Sequence, residues 1–235
     1  MKLLTLIPNF GSNQLTYLKK VLAEYTKFKT INVKIVVFAT EPLDLDFDLD
    51  IEIVECSTDM GADLSLQPRL YAFNNLDKYD LYMHQENDTL ITEDNILCFL
   101  EGQARLNQEY DELTHVHGFL RYEDKEHKYL IDNHKNYPVC TVADGKIHFS
   151  NVHQGGWLLT NNQLKLMKDR NVPSHWGSLE DYCSNFYYSD GWPGTTLGLI
   201  KLVYRDLVSR SVIHHLPDKY IVLHPKAHLT LNELI

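Results

Sequence analysis

The sequence predicts an α/β fold: an open, mostly parallel sheet flanked by helices through the first half, and a smaller antiparallel element in the second. Three observations carry this. Short apolar runs rich in β-branched residues alternate with segments whose apolar positions recur at helical spacing, the order of a parallel α/β sheet. The runs end in turn or acidic residues, Pro8-Asn9-Phe10-Gly11, Thr40-Glu41 and Glu86-Asn87-Asp88, and in open sheets ligands sit beyond the carboxyl ends of the strands. The second half carries an Asp144-Gly145 pair between apolar segments, the mark of a hairpin.

Taken in order, Leu3 to Ile7 is a buried strand that Pro8 ends. Ser12 is placed to cap a helix with Leu15, Leu18, Leu22 and Tyr25 inward. Val33 to Ala39 is the second strand, Asp44 to Asp50 an acidic loop, and Ile51 to Val54 a third strand. A polar loop, Thr58 to Asp63, precedes a helix with Pro68 in its first turn and Leu70, Phe73 and Leu76 on one face. Asp80 to Met83 reads as a short buried strand. Thr92 then caps a helix whose inward positions are Ile96, Leu97, Leu100 and Ala104. Further on, His115 to Tyr122 reads as a strand, Thr141 to Phe149 as a hairpin and Gly155 to Thr160 as a buried strand. A helix through Leu164 and Met167 follows, Ser178 caps another start, and Leu199 to Tyr204 is a further strand.

With 235 residues and no Pro/Ser-rich linker or break in composition, a single domain is expected over 1–235, its halves meeting near residue 110. Hydrophobic (44%) and charged (23%) fractions are those of a globular protein. The net charge of −10 opposes non-specific binding to nucleic acid or anionic membrane, which need a basic face. Cys56, Cys98, Cys140 and Cys183 form no Cys-x-x-Cys pair and read as buried thiols of a reducing compartment. The first apolar run breaks at Pro8, too short for a signal peptide, and no stretch approaches a transmembrane span. A cytoplasmic protein is expected.

Chemistry concentrates at Glu86-Asn87-Asp88. Carboxylates at i and i+2 point the same way if the backbone stays extended, and two such oxygens at a strand end suit a hard divalent cation, Mn²⁺ or Mg²⁺. A polar turn ending a strand would look the same in isolation. The first strand is followed by Pro-Asn-Phe-Gly and not Gly-x-Gly-x-x-Gly, and no phosphate loop of the Gly-x-x-x-x-Gly-Lys-Ser/Thr type is present, which argues against a dehydrogenase and an NTPase.

Over roughly residues 3–100 the chain resembles the GT-A glycosyltransferases, especially the family 2 nucleotide-sugar enzymes. The elements that carry this are Met60-Gly61, Arg69, Asn74-Asn75, Tyr79 to Tyr82 and then Glu86-Asn87-Asp88, in the family's order. Asp59-Met60-Gly61 stands where the family has Asn-x-Gly, Pro-Arg-Leu where it has Ala-Arg-Asn, and Glu86 where it has the first Asp of Asp-x-Asp. The resemblance implies a GT-A-like domain, with 1–110 binding a UDP- or GDP-linked sugar and 111–235 forming the acceptor side and C-terminal closure. It implies that a divalent cation (Mn²⁺ or Mg²⁺) bridges Glu86, Asp88 and the diphosphate. Pro8, Asn9 and Phe10 would lie near the nucleoside, where a plain turn is the alternative. Glu41 stands where the family's base contact falls, Asp63 would meet ribose or base, and Arg69 a phosphate, unless it is an ordinary solvated charge.

In the acceptor half, Ser178-Leu179-Glu180-Asp181 resembles the family's element that supplies a general base, Asp181 or Glu180, for an inverting displacement on a glycan or other hydroxyl acceptor; the same metal motif also serves retaining enzymes. Gly155, Gly156 and Trp157 suit an acceptor wall, as they also suit a buried core. His214, His215 and His224 are candidates for a further metal ligand. Two rivals stand beside this: a metal-dependent hydrolase using His84, Glu86, Asp88 and a tail histidine as a two-metal cluster, and a non-catalytic carbohydrate or nucleotide-sugar binding protein.

Overall fold

Strands and helices alternate through the first ninety or so residues because each β-branched apolar run must be covered by an amphipathic helix. The structure, a computed structural model, describes residues 1–134, 140–149, 156–169, 199–217 and 227–234. In chain order the elements are β1 (Lys2–Asn9), α1 (Leu15–Tyr25), β2 (Asn32–Ala39), β3 (Asp50–Glu55), a 3₁₀ stretch (Thr58–Leu66), α2 (Gln67–Asn74), β4 (Leu81–Gln85), β5 (Thr89–Leu90) and α3 (Glu93–Glu109). There follow β6 (His115–His117), β7 (Leu120–Glu123), β8 (Tyr129–His134), β9 (Cys140–Ala143), β10 (Lys146–Phe149), β11 (Gly156–Thr160), α4 (Asn161–Asp169), β12 (Ile200–Tyr204), β13 (Val212–His215), β14 (His228–Thr230) and α5 (Leu231–Leu234). Contacts divide the chain into two compact units. One holds residues 1–93 with 156–169, the other 94–149 with 199–234.

The first unit is built on a sheet of order β11-β4-β1-β2-β3. β1, β2, β3 and β4 run parallel, and β11 joins antiparallel to β4 with Trp157 opposite His84. This is the open, mostly parallel sheet the alternation predicts. Residues 3–9 of β1 are all buried, the near-continuous apolar run of a strand covered on both faces. Alternation sends Met83 and Gln85 of β4 to one face and Tyr82 and His84 to the other. Tyr25 of α1 hydrogen-bonds Gln85, and the Tyr82 hydroxyl donates to the Asn75 carbonyl just after α2. The two helices therefore cover opposite faces.

Several expectations are corrected here. β1 continues through Pro8 to Asn9, because Pro8 lies past the last pair with β4 (Leu6–His84) and its missing N–H falls where the ladder is one-sided. Residues 58–66 are 3₁₀ turns and not a loop, with the Ser57 hydroxyl accepting from the Asp59 N–H. Ser12 makes no side-chain cap. In α2 the buried positions are Pro68, Arg69 and Ala72, while Leu70 is 40% exposed. Thr160 and Gln163 form a reciprocal capping box at the start of α4 (3.0 and 3.2 Å).

The second unit contains a mixed sheet of order β6-β12-β10-β9. Its β9–β10 hairpin turns on Asp144 and Gly145, both at positive φ (50° and 72°), as the Asp-Gly pair predicts. Beside it, β13 pairs parallel with β7, β7 antiparallel with β8, and β8 antiparallel with β14. The expected strand His115 to Tyr122 breaks into β6 and β7 at Gly118, where a Cβ would stand 2.1 Å from the Lys201 Cε. Helix α3 is rotated from expectation. Its buried face is Asn95, Ile96, Cys98, Phe99, Gly102, Gln103 and Leu106, whereas Leu97 and Ala104 face solvent and Leu100 is half-buried. The buried amides satisfy backbone groups: Asn95 Nδ2 donates to the Arg210 and Val212 carbonyls, and Gln103 bonds the His115 carbonyl and the His117 N–H.

Candidate active site

The site of the first unit lies beyond the carboxyl ends of β1, β2 and β4. β4 ends at Gln85, and the chain turns tightly, the Thr89 N–H donating to the Glu86 carbonyl at 3.2 Å. The two carboxylates therefore sit on a turn, the alternative to extended backbone that the sequence left open. They nonetheless bring an oxygen each within 4.8 Å of the other, and both side chains are half-buried. Two hard oxygen donors at this separation fit a divalent cation.

Buried amides hold the turn from two sides. Asn9, at the end of β1 and 1% exposed, accepts from Asn87 Nδ2 at 2.7 Å and donates to the Gly11 carbonyl at 3.2 Å. Gln85 is fully buried on the α1 face, accepts from the Tyr25 hydroxyl, and donates through Nε2 to the Thr89 carbonyl at 2.5 Å. Asn9 was readable as a strand-end polar residue. Gln85 and Tyr25 were not, because one reads as a strand position and the other as a helix's apolar face.

The remaining nucleotide-side candidates follow. Pro8 is buried, while the Phe10 ring is 41% exposed beside the turn. Glu41 accepts from the Ser12 N–H at 3.0 Å, and the Thr40 hydroxyl accepts from Gly11, whose φ of 72° demands glycine there. Glu41 thus holds the β1–α1 connection. Asp63 lies in the 3₁₀ stretch. Arg69 is 6% exposed and so is no solvated charge. Its guanidinium acts on His84, whose imidazole is pushed down to about 3, first by burial and then by Arg69. His84 stacks on Trp157 (centroids 5.9 Å apart, planes 20°), and Trp157 is itself 6% exposed. That indole face is a wall of the core, with Gly156 opposite Gln85 at the start of β11.

In the second unit, His214 stacks on Tyr122 (4.9 Å, 10°). His215, 2% exposed, bonds through Nδ1 to Glu123, which is fully buried. A buried Glu123 is legible only as an interruption of an apolar strand. Gly155, Glu180, Asp181 and His224 lie outside the described residues. No helix among the described residues is long and apolar enough to cross a membrane.

An open parallel sheet with a paired-carboxylate turn at its carboxyl edge defines the class of arrangement. No protein-family model matches the sequence, and no curated protein matches it. Among solved structures, the crystal structure of S. aureus TarS is similar at 14% identity over 79% of this chain and 33% of that one, with a TM-score of 0.49. S. aureus TarS 1–349 aligns at 15% identity over 77% of this chain and 53% of that one (TM-score 0.48), and the same segment in complex with UDP-GlcNAc at 13% over 73% and 48% (TM-score 0.44). This chain therefore spans between 33% and 53% of the length of the TarS chains it matches.

Proposed function

We propose that this chain is a GT-A-like glycosyltransferase that moves a sugar from a UDP- or GDP-linked donor to a hydroxyl acceptor with a divalent cation, Mn²⁺ or Mg²⁺. The observation that carries the reading is the Glu86/Asp88 pair, its oxygens within 4.8 Å on a half-buried turn beyond β4 and tied to the end of β1 through Asn87 and Asn9. Glu86 and Asp88 hold the cation with hard oxygen donors. When bound, the cation offsets the negative charge that develops on the leaving nucleoside diphosphate. Pro8, Asn9 and the exposed Phe10 ring flank the nucleoside, and Arg69 orients a phosphate. His215 is the further ligand, because a carboxylate on Nδ1 is the arrangement that orients a ligating imidazole.

On the acceptor side, Asp181 or Glu180 takes the proton from the attacking hydroxyl as the sugar is displaced, which gives inversion. Gly155 and Gly156, which lack a Cβ, form the acceptor wall with Trp157. The test is calorimetric titration of UDP and GDP, each with Mn²⁺ and with EDTA, on wild type and Asp88→Ala. Cation-dependent binding of one nucleotide, lost in Asp88→Ala, is the expected result. Failure of both nucleotides to bind under any condition would overturn the reading and leave Glu86-Asn87-Asp88 as a turn.

A further inference from the structure

We propose that Gln85 is a positioning residue for the cation site, holding the Glu86/Asp88 turn in its chelating shape from the α1 face of the sheet. The inference rests on the cation reading above and adds a residue that touches neither metal nor substrate. A carbonyl only accepts hydrogen bonds, so the Thr89 carbonyl, 2.5 Å away, requires the Gln85 amide nitrogen to face it. That leaves Oε1 for Tyr25, whose hydroxyl is the donor. Burial pushes the Tyr25 phenol far above its ordinary value, so the proton stays in place at any working pH. The amide thus has one orientation and is anchored in α1.

The same residue that Gln85 grips closes the turn. Thr89 donates its N–H to the Glu86 carbonyl and gives its carbonyl to Gln85. Two carboxylates within 4.8 Å repel one another in the absence of a cation. Asn9 restrains its middle through Asn87, and Gln85 restrains its end. A fully buried amide with both of its groups committed to this turn and to Tyr25 is an outer partner of the donor set, and such partners set cation affinity.

The experiment uses Mn²⁺ alone, titrated into the full chain and followed by the electron-paramagnetic resonance of the free ion, on wild type, Asp88→Ala, Gln85→Met and Tyr25→Phe. Exchange of the Thr89 amide proton is measured in the metal-free proteins. Gln85→Met keeps the side-chain length without the bonds and is expected to bind Mn²⁺ about tenfold more weakly, with faster Thr89 exchange. Tyr25→Phe removes a single oxygen, folds if Gln85→Met does not, and is expected to give a smaller loss in the same direction. Wild-type Mn²⁺ affinity in both variants, whatever their stability, would overturn the positioning role while leaving the cation reading intact. Unchanged Thr89 exchange in both would also overturn it. Absence of Asp88-dependent Mn²⁺ binding in wild type would overturn the cation reading itself, and the positioning role with it.

Discussion

Acidification from pH 7.5 to 5.0 is expected to remove about 2 kcal/mol of stability through His117 alone. The ring is 1% exposed and packs against Gly102 of α3, where a Cβ would come within 2.2 Å of Nδ1. Its tautomer follows from its neighbours. The Ser211 hydroxyl donates to the Leu207 carbonyl, so it accepts from His117 Nε2 at 3.0 Å, and Nδ1 carries the bare lone pair. Protonation would bury a second N–H against a helix backbone, next to the Tyr204 ring and with Lys201 and Arg105 nearby; only Asp206 favours the charged form. Burial first, then these cations, pushes the imidazole down to about 3.

Below the unfolded value of about 6.5 the unfolded chain takes up a proton that the folded chain refuses until about pH 3, so stability is full above 6.5 and falls with pH at about 1.36 kcal/mol per unit. At pH 5.0, about 1.5 units below 6.5, the loss is about 2 kcal/mol. Urea denaturation of wild type and His117→Gln at both pH values isolates this contribution. His117→Gln is less stable at pH 7.5, and the gap closes by about 2 kcal/mol at pH 5.0. A gap of the same size at both pH values would refute the reasoning.

Gly102→Ala forces its methyl group into the same imidazole and is expected to cost up to about 3 kcal/mol, measured as a shift in the urea midpoint. Asn9→Ala leaves Asn87 Nδ2 buried without its acceptor, for a loss of about 1–3 kcal/mol by the same assay, and also weakens Mn²⁺ binding, since the turn loses its tie to β1. Nucleotide titration on Asp88→Ala is expected to show complete loss of the Mn²⁺-dependent component.

Where residues conformed to the rule that apolar side chains face inward, the sequence was read correctly. β1 to β4, α1 and the Asp144-Gly145 hairpin all fall close to their predicted positions. The hydrophobic spacing predicts α2 and α3 as helices but turns the wrong face inward, and for one reason. Each buries polar residues, Arg69 in α2 and Asn95 and Gln103 in α3, and turns out leucines, Leu70 and Leu97, that a hydrophobic pattern places inside. The acidic turn was found because strand-end carboxylates are legible by position. Gln85, which holds its end, is not, since nothing local distinguishes it from any polar strand residue.

The sequence by itself determined the alternation, the parallel sheet and the place of the paired carboxylates, because those depend on local periodicity and on where strands end. Only the tertiary structure decided which face each helix buries, that Glu86 and Asp88 lie on a turn, and that Asn9, Gln85 and Tyr25 hold it. The ties of Gln85 to Tyr25 and of Asn87 to Asn9 are hydrogen bonds between residues 60 and 78 positions apart. A buried amide is stable only where such a partner exists, and the partner is set by the fold and not by the neighbouring sequence.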